Sequence, residues 1–318
     1  MIDFQQENLL FLAPLAGYTD LPFRKLVKEF GADVTVSEMI SSNALVYDSK
    51  KTLKMIEKSP NETPYIVQIS GSDKEIIKKA VLKLNDIEGI DGIDLNCGCP
   101  VPKVVRQGAG SALLKDLPKM SELIETIKKY SNKKYTSVKS RLGFDRKIPK
   151  EIARVCEESG ADFVTFHART RSDGYRSDRI DYDAVREAKG VINIPLIANG
   201  NIIDYSTYKN VKKITNAQGV MIGRGSIGNP WIFYQIKNAL ERVEKETIKE
   251  IVIRHFETML EFYGDKAVGI FRKHLHLYSK NFPNASCFRD RINRIDDAKL
   301  MMEQIERFFA DSVEYDCK

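Results

Sequence analysis

Cysteine is scarce in this 318-residue chain, long apolar runs are absent, and neither sign of charge dominates. Five scattered cysteines do not suggest a disulfide framework, and no second Cys/His cluster stands near Cys97 and Cys99 to complete a zinc site. The apolar run from Leu9 to Ala16 is about half the length of a signal core or membrane span, and no basic region precedes it. We therefore expect a cytoplasmic protein without a metal site or a membrane segment.

The composition that remains is that of an ordinary globular protein. Hydrophobic residues make up 42% of the chain, which is enough for one large domain or two smaller domains with real cores. Lysine and arginine number 50 against 44 aspartates and glutamates, giving a formal charge of +6. This mild excess favours an anionic partner without identifying it.

Eight short apolar runs rich in β-branched residues recur along the chain, with amphipathic segments of helical spacing between them. The runs span residues 9–17, 33–39, 65–71, 91–100, 135–143, 162–170, 194–202 and 219–227. Eight such units predict an α/β fold, a (β/α)₈ TIM barrel, over residues 1–238. A doubly wound open sheet is the alternative, but its usual G-x-G-x-x-G turn is missing after the first run. Helical spacing in residues 239–318 predicts a small carboxyl-terminal helical domain.

Polar residues stand where nearly every predicted strand ends, which is where barrels of this kind hold their chemistry. In chain order they are Pro14 to Ala16, Glu38, Gln68, Asn96, Cys99, Lys139, Arg141, His167, Asn199, Gly223 and Arg224. A near-complete ring of such side chains predicts an active site. Glycines in 198–202 and 223–230 follow the last two strands, where barrels often bind a ligand phosphate. Together with the guanidinium of Arg224 they favour a phosphorylated cofactor.

Motifs along the whole barrel carry a family resemblance. They are APLAGYTDLPFR at 13–24, SEMISS at 37–42, VQISGSD at 67–73, DLNCGCPVPKV at 94–104, GAGSALL at 108–114, VKSRLGFD at 138–145, HART at 167–170, IANGNI at 197–202 and IGRGSIGNPWIF at 222–233. In this combination and order the chain resembles the tRNA-dihydrouridine synthases, flavin enzymes that reduce uridine in RNA. The segment FRKHLHLYSK at 271–280 extends the resemblance into the predicted helical domain.

The resemblance implies FMN as cofactor, NADPH or NADH as reductant and tRNA as partner. We expect a monomer, although the sequence does not determine the oligomeric state. The residues implied in FMN binding are Pro14, Leu15, Ala16, Gln68, Lys139, His167, Asn199, Gly200, Asn201, Gly223 and Arg224. The residues expected to donate to the uracil carbonyls and the ribose are Asn96, Lys139, Arg141 and His167. The family usually has aspartate where this chain has Asn201, so a charge is lost there while flavin binding should survive.

Cys97 and Cys99 are expected to have different roles. Reduction of the carbon 5–carbon 6 double bond of uracil needs a hydride and a proton, and a thiol with the ordinary pKa of about 8.5 is a suitable proton donor. By the resemblance Cys99 is this acid, whereas Cys97 stands at a variable position of the same motif. We expect Cys97 to be a small buried residue at a strand end.

Residues 270–294, hereafter the basic segment, contain six lysines and arginines against one aspartate. This balance suits contacts with RNA phosphates, and interleaved aromatic residues suit occasional base stacking. The aromatic residues are Phe271, Tyr278, Phe282 and Phe288. The histidines of the predicted helical domain, which we expect on the surface or facing RNA, are His255, His274 and His276.

Two other functions remain open from the sequence. An FMN barrel that reduces a free pyrimidine or another small enone would explain the barrel and the flavin, but not the basic segment. A catalytically silent RNA-binding protein would have no need for a thiol, a lysine, a histidine and a phosphate site on one rim. The sequence also leaves open which uridine is reduced, because docking of the RNA selects it.

Overall fold

The computed structural model describes residues 1–240 and 245–310, without the side chains of 245 and 246. Nine strands lie within these described residues. They are β1 (Leu9–Leu12), β2 (Val34–Val36), β3 (Ile40–Ser41), β4 (Tyr65–Ser70), β5 (Gly92–Cys97), β6 (Tyr135–Arg141), β7 (Phe163–His167), β8 (Leu196–Asn199) and β9 (Gly219–Ile222). All eight predicted strands are present, and β3 is an additional short strand that pairs with β4.

Eight of the strands close into a parallel barrel. The order around it is β1, β9, β8, β7, β6, β5, β4 and β2, and β2 closes the circle by pairing with both β1 and β4. This confirms the predicted TIM barrel and excludes the open doubly wound sheet. The strands are buried on both faces, because helices cover their outer side.

Ten helices surround the barrel within residues 1–240. They are α1 (Leu21–Glu29), α2 (Ser42–Val46), α3 (Lys50–Met55), α4 (Lys74–Asn85), α5 (Pro102–Arg106), α6 (Leu117–Tyr130), α7 (Pro149–Glu158), α8 (Tyr182–Lys189), α9 (Tyr205–Thr215) and α10 (Ile232–Lys237). Five of them begin after an aspartate whose carboxylate accepts a backbone N–H of the first turn. These caps give a defined end to several of the loops that follow the strands.

An apolar plug fills the amino-terminal end of the barrel. Phe11 of β1 and Phe163 of β7 lie 5.6 Å apart between ring centroids although their strands are not neighbours, so this contact crosses the interior. Ile66, Tyr135 and Met221 belong to the same buried cluster. The carboxyl-terminal end of the interior is therefore left to polar side chains.

The remaining described helices form a second, smaller core, as predicted for the carboxyl-terminal region. They are α11 (Lys245–Tyr263), α12 (Lys266–Tyr278), α13 (Ala285–Ile292) and α14 (Ala298–Phe308). Their core also takes in Leu26 of α1 and Trp231, so it is shared with the barrel. The domain boundary between residues 238 and 239 stays a prediction, and residues 241–244 and 311–318 lie outside the described residues.

Two predictions about the helical region are wrong. His255 and His274 are fully buried in its core, and neither lies on the surface. Phe271, Tyr278 and Phe288 are buried in the same core and are not available to stack on RNA bases. The reason is that positions 271, 274, 275 and 278 fall on one face of α12, which packs inward.

Only some of the cations in the basic segment are available to bind a partner. Arg272 forms an ion pair with Asp296 and donates to the carbonyl oxygen of Ile295 at 2.7 Å. Lys280 is exposed, and Nζ of Lys273 lies 5.1 Å from the ring centre of Tyr18 in the barrel.

No helix in the described part of the chain is long and apolar enough to cross a membrane.

Candidate active site

One large cavity opens at the carboxyl ends of the barrel strands. It encloses about 810 Å³, within the size range of small-molecule and cofactor sites. All the site residues predicted from the sequence line it, namely Pro14, Leu15, Ala16, Gln68, Asn96, Cys99, Lys139, Arg141, His167, Asn199, Gly200, Asn201, Gly223 and Arg224. Glu38, which also ends a strand, instead accepts a hydrogen bond from the backbone N–H of Gly17. The individual roles of the lining residues stay predictions.

Strand register explains why these side chains converge. Asn96 on β5 pairs with Lys139 on β6. His167 on β7 pairs with Arg141 on β6 and with Asn199 on β8. Because side chains at paired positions point to the same face of a sheet, these five polar side chains form a girdle around the inside of the barrel mouth.

Asn96 shapes the turn that carries Cys99. Its Oδ1 accepts hydrogen bonds from the backbone N–H of Gly98 at 3.1 Å and of Cys99 at 2.9 Å. Cys97 is fully buried in the main apolar core, as predicted, and burial raises the pKa of its thiol well above the ordinary value. Cys99 is half-buried and is the one cysteine among the described residues that lines the cavity.

Lys139 is held by the neighbouring strands. Its Nζ donates to Oδ1 of Asn199 at 3.0 Å, and Nδ2 of Asn199 donates to the carbonyl oxygen of Met221 at 2.7 Å. Burial lowers the pKa of the Lys139 ammonium to about 8, with a smaller contribution from Arg141 and an opposing one from Asp94. The ammonium is mostly protonated at neutral pH and keeps two further N–H groups for a ligand.

His167 is a neutral imidazole with a buried guanidinium beside it. Nη1 of Arg169 lies 3.1 Å from Nε2 of His167, and Nη2 of Arg169 donates to Oδ1 of Asn201 at 2.9 Å. Burial lowers the pKa of His167 well below its usual range, and the charges of Lys139, Arg141, Arg169 and Arg224 lower it further. The neutral amide of Asn201 accepts from Arg169 without neutralising its charge.

Arg141 ties two loops of the rim together. Its Nε donates to the carbonyl oxygen of Gly98 at 2.8 Å, and its Nη1 donates to those of Thr170 and Gly174 at 2.8 and 2.9 Å. Three donors are therefore committed to the backbone, and the Nη2 group is left for Tyr175 or a ligand.

The loops after β8 and β9 approach each other closely. A Cβ atom on Gly225 would collide with the carbonyl oxygen of Ile202. Gly200 adopts φ +130°, a backbone conformation that favours glycine, and a Cβ there would lie 2.9 Å from Cδ1 of Ile180. Both glycines are therefore required by the backbone of this rim.

Several residues of the site were not predicted from the sequence. Tyr175, on the loop after β7, lines the cavity with the guanidinium carbons of Arg141 and Arg224 at 5.2 and 5.1 Å from its ring centre. Leu277 lines the cavity from α12. Arg169 and Asp94 lie behind the cavity wall, where Arg169 contacts His167 and Asp94 accepts a hydrogen bond from Gln68. All of these except Tyr175 lie in motifs that carry the resemblance, at 94–104, 167–170 and 271–280, but those motifs did not indicate these contacts.

Comparison with known proteins gives the family. The sequence model of the family described as Dihydrouridine synthase (Dus) matches residues 11–314. A protein of Helicobacter pylori named probable tRNA-dihydrouridine synthase is 51% identical over 308 residues, which cover 97% of this chain and 94% of that protein. The tRNA-dihydrouridine synthase B of Pasteurella multocida is 36% identical over 315 residues, covering 96% of this chain and 94% of that protein.

A solved structure supports the fold independently. The old yellow enzyme from Trypanosoma cruzi matches with a TM-score of 0.54 at 8% identity, over 81% of this chain and 94% of that chain. At this low identity the likeness shows the fold alone. The family match over nearly the whole chain, together with the two relatives, shows that the protein is an enzyme of the dihydrouridine synthase family.

Proposed function

We propose that the protein reduces uridine in tRNA to dihydrouridine, with bound FMN as cofactor and NADPH or NADH as reductant. The observation that carries the proposal is the convergence of Cys99, Lys139 and His167 on one cavity with the glycine loops, in a chain of this family. The names of the relatives from H. pylori and P. multocida support tRNA as the substrate.

The charge around the cavity suits the phosphate of FMN. Lys139, Arg141, Arg169 and Arg224 bring four positive charges close enough to lower the pKa of His167. No carboxylate forms an ion pair with any of these four cations among the described residues. An anionic ligand would compensate this excess of positive charge.

The shape of the rim and its free hydrogen-bonding groups also suit FMN. Gly223 and Gly225 let the backbone after β9 approach a phosphate, as glycines do at other barrel phosphate sites. Gln68 donates one N–H to Asp94 and accepts one from Asn96. It keeps a second N–H and a second lone pair for the flavin ring.

The chain's own residues then complete the reaction. FMN, when bound, supplies the hydride for one carbon of the uracil double bond. Cys99 holds a proton on Sγ at the cavity wall and delivers it to the other carbon. Nδ2 of Asn96 and Nζ of Lys139 keep N–H groups free, which suit the carbonyl oxygens of the base.

The position of α12 supports a macromolecular substrate. Leu277 lines the cavity, and Lys273 on the same helix reaches Tyr18 at its rim. RNA bound to the exposed charges of the basic segment would therefore meet the cavity mouth directly. A uridine must leave its stacked surroundings to enter, as in other enzymes that act on bases.

The proposal is tested with purified protein, FMN and transcribed, unmodified tRNA. We expect a yellow protein that oxidises NADPH in the presence of this tRNA and leaves dihydrouridine, detected by mass spectrometry of the digested RNA. NADH in a parallel reaction decides which reductant is used. Free uridine and uracil are the competing substrates, and faster NADPH oxidation with either of them would favour the small-molecule alternative.

A further inference from the structure

A chain of side-chain hydrogen bonds runs from the interior of the barrel to the loop of Cys99. Oδ2 of Asp94 accepts from Nε2 of Gln68 at 2.8 Å, and Oε1 of Gln68 accepts from Nδ2 of Asn96 at 2.8 Å. Oδ1 of Asn96 then accepts from the backbone N–H of Gly98 and of Cys99. These bonds join five strand and loop positions into one path, hereafter the relay.

The direction of the relay is set at both of its ends. A carboxylate accepts hydrogen bonds and does not donate them, so Asp94 requires Gln68 to present its Nε2. A backbone N–H donates only, so Cys99 requires Asn96 to present its Oδ1. Each amide has the single orientation that satisfies both neighbours. If Gln68 flipped, its Nε2 would face Nδ2 of Asn96, and two donors would meet without an acceptor.

Asp94 is an unusual residue to find at the closed end of this path. It is 4% exposed, and no cation lies within ion-pair distance of it among the described residues. Its other oxygen accepts from Oγ of Ser137 at 2.6 Å. Burial raises the pKa of Asp94 to about 6, so it is mostly ionised at neutral pH despite the cost of burying a charge.

We propose that Asp94 is a positioning residue for Cys99, which it holds in place through Gln68 and Asn96. The functional part of this inference rests on the proposed function, in which Cys99 is the proton donor. With the relay intact, the turn of residues 96–99 has one backbone conformation, and the thiol has one place on the cavity wall. Without an acceptor at position 94, Gln68 loses the partner that fixes its orientation. A flipped Gln68 would no longer accept from Nδ2 of Asn96, and the turn that Asn96 holds would lose part of its support.

Three substitutions separate this role from simple packing. Asp94→Leu keeps the bulk but removes the acceptor. Asp94→Asn preserves the relay, because its Oδ1 can accept from Gln68 while its Nδ2 donates to Ser137. Ser137→Ala is the matched control, since it removes the other hydrogen bond of Asp94 and leaves the relay untouched. If Asp94→Leu does not fold, Asp94→Ala takes its place.

The first measurement needs neither flavin nor tRNA. We expect hydrogen exchange of the segment with the Gly98 and Cys99 amides to be about fivefold faster in Asp94→Leu, the effect of one neutral hydrogen bond. Alkylation of Cys99 should rise in the same variant relative to Cys287, a half-buried cysteine of the helical region. Asp94→Asn and Ser137→Ala should match the wild type in both measurements.

The second measurement follows the reaction. Per bound flavin, Asp94→Leu should show about tenfold slower maximal reoxidation by unmodified tRNA, with unchanged half-saturating tRNA and unchanged reduction by NADPH. Asp94→Asn should restore the rate. Wild-type exchange and alkylation in Asp94→Leu, or an equal defect in Ser137→Ala, would overturn the relay. Failure of the wild type to be reoxidised by tRNA would instead refute the proposed function, and the exchange data would still judge the relay.

Discussion

Nη1 of Arg169 and Nε2 of His167 lie 3.1 Å apart in the interior of the barrel mouth. A guanidinium is always a donor, so Nε2 of His167 is the acceptor and its ring carries its proton on Nδ1. The imidazole is neutral, because burial and four nearby cations hold its pKa well below the usual range.

The state of His167 can be measured directly. We expect ¹⁵N chemical shifts of the Nδ1–H tautomer and no titration of this ring between pH 8 and 5.5. In Arg169→Met the tautomer should become mixed, since the donor that selects it is gone. Protonation of His167 within that pH range in the wild type would contradict the arrangement.

Arg224 is expected to contribute to retention of FMN. It is exposed at the start of the loop after β9, and Arg224→Ala removes a charge-assisted contact with the phosphate that is worth about 1.5–3 kcal/mol. The dissociation constant of FMN, measured by flavin fluorescence, should rise about 10- to 100-fold. Arg179→Ala, at an exposed arginine outside the cavity wall, is the matched control. Equal affinity of both variants for FMN would indicate that Arg224 does not contact the phosphate.

Stopped-flow experiments should distinguish the role of Cys97, at the end of β5, from that of Cys99, in the loop that follows. Cys99→Ala should accept electrons from NADPH at the normal rate, but its flavin should be reoxidised by unmodified tRNA about 10²–10⁴-fold more slowly. Cys97→Ala removes a small packed side chain from the apolar core and should cost far less in rate. A larger defect in Cys97→Ala would reverse the assignment.

The basic segment is expected to bind RNA through the charges that the fold leaves available. Charge reversal at Lys273 and Lys280 should weaken tRNA binding and reduce the slope of log affinity against log salt by about one per lost contact. Lys299→Glu reverses an exposed charge on α14 outside the segment and serves as control. Identical salt slopes in all variants would place the RNA on another surface.

His274 should make the folded protein sensitive to acid. Both of its ring nitrogens are buried and have no hydrogen-bond partner in the part of the chain that the structure describes. Burial holds the pKa of His274 well below the usual range. Below about pH 6.5 the unfolded chain binds a proton at this ring and the folded chain does not, so stability falls as pH falls. In His274→Phe the free energy of unfolding should therefore fall by about 1.4 kcal/mol less per pH unit than in the wild type. Urea unfolding between pH 7 and 5 measures this difference. The same pH slope in both proteins would show that His274 binds a proton when folded.

The sequence was sufficient to predict the barrel and most of the cavity for a simple reason. Asn96, Lys139 and His167 each end an apolar run, and in a closed parallel barrel all such ends meet at one mouth. Asp94, within β5, and Arg169, just beyond β7, were missed because the sequence does not show which distant side chains will meet them. Their partners, Gln68 and Asn201, come from other strands and loops.

The helical region shows a second limit of sequence-based prediction. The spacing of α12 predicts a helix with one buried face, but not which core that face meets. His274 was interpreted as a surface or RNA-facing residue of the helical tail, although its ring lies 5.8 Å from that of Phe23 in α1. Contacts between distant parts of the chain decide such positions.

The core shared between α1 and the carboxyl-terminal helices limits how this family can recombine. Leu26 and Trp231 lie in that core, and a Cβ on Gly228 would lie 2.7 Å from the carbonyl carbon of Leu277. A chimera that exchanged only the carboxyl-terminal helices with those of a relative would break these fitted contacts. The transferable unit in protein engineering is therefore discontinuous, and it must carry α1 and the loop after β9 along with the last four described helices.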